Sequence, residues 1–81
     1  MISCSEYDYI EIACLYRYPV RLTMKEGEPI RGVALDTIRN ESRNECIKLN
    51  TDETVILIEL DGIAKLEVLI DNPHFIEVTF K

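Results

Sequence analysis

YRYPVRLTM, Tyr16–Met24, is where the chain changes its hydrophobic period. The ring of Pro19 disfavours helical backbone at Tyr18, so a helix arriving from the N-terminal side has to end there. Beyond it, Val20, Leu22 and Met24 alternate with Arg21, Thr23 and Lys25. That period of two describes a strand with one face toward a core and one toward water. The nine residues therefore predict a helix before them and a β fold after them.

Upstream, Ser3-Cys4-Ser5-Glu6 fits the S-x-x-E capping box, and Ser5 with Asp8 offers the same geometry two residues on. Acids in the first turns complement the positive end of the helix dipole. A helix of about three turns is expected over residues 5–16.

Downstream, turn residues divide the chain into short strands. Glu26-Gly27-Glu28-Pro29 is a turn, and Ile30 to Ile38 reads as a long second strand with a bend or bulge at Gly32. Asn40 to Asn44 is a polar loop, Cys46 to Asn50 a third strand, and Thr51-Asp52-Glu53 a turn. Thr54 to Leu60 is apolar on both faces between Val55 and Ile58, which predicts a central strand. Ala64 to Leu69 and Phe75 to Phe80 complete the set, with Ile76, Val78 and Phe80 expected on one face. The fold class is mainly β with one N-terminal helix. It predicts a small, strongly bent antiparallel barrel of five or six strands over about 19–80, all in a single domain, 1–81.

The composition agrees with such a domain and excludes several alternatives. The chain has 81 residues, 47% hydrophobic and 30% charged, with a net charge of -6. That length leaves room for a core and a binding surface, but hardly for a deep catalytic cleft. Residues 1–16 hold Glu6, Asp8 and Glu11 and no base. An acidic surface repels phosphate backbones and favours a basic partner. Cys4, Cys14 and Cys46 have neither zinc-ligand spacing nor an even count, so reduced thiols serving as small packed residues are expected. No Gly-rich phosphate loop, zinc motif or Ser-His-Asp set is present, so neither an enzyme nor a cofactor or metal is expected. His74 and Asp71 read as turn residues. Residues 1–16 lack a basic region and a long apolar run, so neither a signal peptide nor a membrane partner is expected. The cytoplasm is the expected location.

At about 100° per residue the expected helix has two unlike sides. Tyr7, Ile10, Ala13 and Cys14 form a narrow apolar stripe that can dock on the sheet. Asp8, Glu11, Ile12 and Leu15 fall opposite, with Tyr9 and Tyr16 at the flank. A merely solvated face explains the two carboxylates but has no use for Ile12 and Leu15. A partner surface uses apolar contact for affinity and charge for steering.

The run Cys4-x-x-Tyr7-Asp8-x-Ile10-Glu11-Ile12-Ala13-Cys14 resembles the signature C-x-x-Y-D-x-[LI]-E-[LI]-A-C of the Rho-binding antiterminator family, Rof. Val20-x-Leu22, Lys25-Glu26-Gly27-Glu28 and Gly32-Val33-Ala34-x-Asp36 are similar to that family's first hairpin, and Leu60-Asp61-x-Ile63 to one of its strand ends. The resemblance spans nearly the whole chain. It implies an Sm-like (SH3-type) barrel preceded by a helix, in a bacterial protein that is monomeric when free. It also implies binding to the transcription termination factor Rho, over the primary RNA-binding site of Rho's N-terminal domain. Blocking nascent RNA there would suppress Rho-dependent termination. Asp8 and Glu11 stand at the family's acidic helix positions and Glu6 where it tends to be acidic, whereas Ser5 is neutral and the loop Arg39 to Glu45 departs in length and charge. The partner-binding set is thus Asp8, Glu11, Glu6, Ile12 and Leu15.

A small RNA-binding module is the competing expectation, because Sm-like barrels commonly bind RNA. Its basic stripe would be Arg17, Arg21, Lys25, Arg31 and Arg39, with Tyr16 and Tyr18 for stacking. Glu26 and Glu28 at the hairpin tip and the net charge of -6 oppose it, so no direct nucleic acid is expected.

Overall fold

The computed structural model describes residues 2–52 and 54–80. A helix, α1 (Cys4–Leu15), precedes strands β1 (Pro19–Met24), β2 (Ile30–Arg39), β3 (Glu45–Asn50), β4 (Val55–Glu59), β5 (Ile63–Val68) and β6 (Glu77–Thr79). All pairings are antiparallel, in one bent six-stranded sheet of order β4-β3-β2-β1-β5-β6. This is the mainly β architecture with an N-terminal helix that the period change predicts.

Of the two possible caps, Ser3 is used. Its N–H donates to Glu6 Oε1 at 2.9 Å, and the Glu6 N–H donates back to Ser3 Oγ at 3.2 Å. The helix ends one residue earlier than expected, in a reversal that needs a left-handed residue. Arg17 takes it, at φ 55, with Tyr18 N–H donating to Ala13 O and Arg17 N–H to Cys14 O. This is the Schellman pattern, made here without glycine.

The core is closed by Ile10, Ala13 and Cys14 from α1 against Val20 and Leu22 of β1, Ile47 and Leu49 of β3, and Ile63 and Leu66 of β5. Tyr7 and Ile12 lean on its margin. Gly32 stands where β2 passes from pairing with β1 to pairing with β3. A Cβ there would lie 2.9 Å from the Asn50 carbonyl oxygen, so glycine permits the close approach. The register shift falls two residues further on, between Ala34 and Asp36.

Two expectations about strands are corrected. β4 is an edge strand, not a central one. The 3-10 turn Leu60–Gly62 carries the chain away to β5 at the far side of β1, leaving Val55 and Leu57 about half exposed at 47% and 46%. At the C-terminal end, β6 is only three residues long and Ile76 is 78% exposed, while Val78 packs on the core and Phe80 is buried. Asn72 causes this: its Oδ1 accepts the N–H groups of His74 and Phe75 and its Nδ2 donates to Ile70 O. The resulting tight turn sends Phe75 inward in place of Ile76. The turn after β3 is closed by Thr51 N–H donating to Thr54 O; Glu53, also expected in it, lies outside the described residues.

Among the described residues no helix is long and apolar enough to cross a membrane.

Candidate functional site

Docking of Ile10, Ala13 and Cys14 fixes which side of α1 meets water. Asp8, Glu11 and Leu15 are exposed, Leu15 at 71%. None of the ion pairs among the described residues involves Asp8 or Glu11. Ile12 is half-buried and leans on the core, so Leu15 is the main apolar contribution of this side. Glu6 is half-buried, with its carboxylate holding the cap. Of the five residues assigned from sequence, Asp8, Glu11 and Leu15 are thus the ones freely offered.

The expected flank tyrosines are occupied. Tyr9 packs on Phe75 with ring centroids 5.0 Å apart, and Tyr16 stacks on His74 at 4.5 Å. Tyr18 Oη is hydrogen-bonded to His74 Nδ1 at 2.8 Å. These rings tie the 72–75 turn to the helix, so His74, an exposed turn residue as expected, also latches that turn. The spacing of the sequence gave no sign of it.

The exposed side of α1 also forms one wall of a groove of about 770 Å³. The other wall is Leu35, Asp36 and Thr37 of β2. A second groove of similar size runs from the start of α1 to the 39–45 loop, lined by Tyr7, Arg39 and Arg43 among others. Asp8 lies on the ridge between the two. The sequence patterns do not single out Leu35 and Asp36; the one signal is the segment Gly32-Val33-Ala34-x-Asp36, which is similar to a hairpin of the family.

The rival basic stripe is partly neutralised. Arg21 donates to Glu67 Oε1 at 2.8 Å, and this bond is the main reason the Glu67 carboxyl sits below its ordinary range. Arg39 faces Glu45 at 3.8 Å, and Tyr18 is buried.

Cys14 and Cys46 are buried and Cys4 is exposed, all three as free thiols. The Cys14 thiol is pushed up to about 11, chiefly by burial, with Asp36 and Glu11 contributing to the rise and Arg17 opposing it. Alkylation of the native protein near neutral pH is expected to label Cys4 quickly and the other two only on unfolding. Mass spectrometry reads this, and an intramolecular disulfide would contradict it. Because the Cys14 value is raised on folding, its contribution to stability is complete below the unfolded value of about 9. It is then lost as pH rises toward 11.

The fold and exposed helix define a small helix-on-sheet domain that offers an acidic, partly apolar face. Residues 1–80 match the family described as modulator of Rho-dependent transcription termination (ROF), and the chain belongs to that family. A solved structure, YaeO bound to magnesium from Vibrio cholerae O395, is similar at a TM-score of 0.88 and 51% identity, covering 93% of this chain and 97% of that one. No curated protein matches.

Proposed function

We propose that this protein binds Rho through the exposed side of α1, over the primary RNA-binding site of Rho's N-terminal domain, and so inhibits Rho-dependent termination in the cytoplasm. Family membership supports a role in Rho-dependent termination. The observation that carries the finer reading is the open state of Asp8 and Glu11: exposed, outside the ion pairs among the described residues, and on the side of the helix away from the core. Carboxylates held this way can occupy a basic groove where phosphates would lie. Leu15 and the margin of Ile12 add apolar contact, and Glu6 extends the negative charge at the helix start. The chain acts as one domain and as a monomer when free.

A competition titration tests the proposal. Fluorescently labelled single-stranded RNA is bound to purified Rho and this protein is added. The expected result is displacement of RNA, with no binding of RNA to this protein alone. Rho that binds the protein and keeps its RNA would place contact elsewhere. Direct binding of RNA to the protein at low salt would favour the rival module.

A further inference from the structure

We propose that the groove between α1 and β2 receives an arginine or lysine side chain of the basic partner, its stem over Ile12, Leu15 and Leu35 and its cationic head shared by Asp8, Glu11 and Asp36. This rests on the reading that the partner is Rho and extends the contact surface from the helix onto the sheet. The groove exists because of the bulge in β2. Ala34 pairs with Leu49 and Asp36 with Lys48, so Leu35 is left over in the ladder. Leu35 and Asp36, which a regular strand would send to opposite faces, both line the groove. Opposite them stand the residues that one side of α1 presents, Asp8, Glu11, Ile12 and Leu15.

The occupant follows from the mixture. A long basic side chain has an apolar stem and a charged head, and matches a surface with an aliphatic floor and a carboxylate rim. Arg17 lies at one end of the groove, and no ion pair among the described residues joins it to the three carboxylates. Asp36 keeps one oxygen engaged by accepting the Thr37 N–H at 2.8 Å, which orients the carboxylate and leaves the second oxygen for a cation.

The test is a binding titration with Rho of the parent, Asp36→Asn, Glu11→Gln, the double variant and Asp71→Asn. Asn at 36 retains the oxygen that accepts from Thr37, and a melting curve checks that stability is kept. Asp71→Asn removes the same charge at an exposed position outside both grooves. Asp36→Asn is expected to weaken binding about thirtyfold or more, as loss of one desolvated charge-pair contact does, while Asp71→Asn stays near the parent. The double variant should weaken binding by less than the product of the single effects, because the two carboxylates share one cation. Asp36→Asn behaving like Asp71→Asn overturns the groove, and a purely multiplicative double variant overturns the shared cation. A parent that fails to bind Rho overturns the functional reading itself.

Discussion

Replacing Asp8 by Asn and Glu11 by Gln together is expected to weaken binding to Rho by about a hundredfold or more, with the melting temperature nearly unchanged. Loss of a desolvated contact with arginine or lysine costs roughly 2–5 kcal/mol, and each 1.4 kcal/mol is about tenfold in affinity. The stability side is clear because the helix cap belongs to Ser3 and Glu6, not to Asp8. Both substituted side chains are exposed and outside the ion pairs among the described residues. Surface changes of that kind stay within about 0.5 kcal/mol. Isothermal titration with Rho across a salt series, with a thermal melt of the same preparation, reads both. Parent affinity should fall as salt rises, and the difference between parent and variant should narrow. A double variant that binds as tightly as the parent at every salt concentration would reduce the acidic side of α1 to a solvated surface.

What could be read from the residues followed from local chemistry. Pro19 after a capped helical run, and alternation after it, were enough for the helix and the succession of strands. What could not be read depends on where a strand sits in space. Val55 to Ile58 is apolar on both sides, the pattern of a buried strand, yet the turn at Leu60–Gly62 leaves β4 at an edge. Ile76 alternates correctly with Val78 and Phe80, and the bonds of Asn72 override that alternation. The left-handed Arg17 was invisible because glycine is the usual residue there.

The candidate site divides along the same line. Helical periodicity put Asp8, Glu11 and Leu15 together on the wet side, where they are found. It could not show that Ile12 would lean on the core, whereas the capping-box spacing with Ser3 already pointed Glu6 to the cap, where its carboxylate is found. Leu35 and Asp36 were out of reach, because their joint position depends on a register shift between two strands and no single-strand pattern encodes it.

Ile10→Ala is expected to have the largest effect on stability, and an effect on binding of a different kind. Ile10 is fully buried on the docked stripe of α1. Truncating such a side chain removes its transfer free energy and leaves a cavity, at about 2–5 kcal/mol. A domain of this size has on the order of 4–12 kcal/mol in total, so the loss is a large share of its stability. Each kcal/mol lowers the melting temperature of a small domain by about 4–8 °C, which predicts a drop on the order of 10 °C or more. Urea unfolding should show a lower midpoint with an unchanged slope, since the same surface is exposed on unfolding. Asp8 and Glu11 keep their place in whatever fraction remains folded, so affinity for Rho, corrected for that fraction, should match the parent. The acidic variant loses binding without stability, and the core variant loses stability without intrinsic binding. A melt of Ile10→Ala within 2–3 °C of the parent, a shift of less than about 1 kcal/mol, would mean that the helix is not anchored by this residue. The orientation of the acidic face would then need another cause.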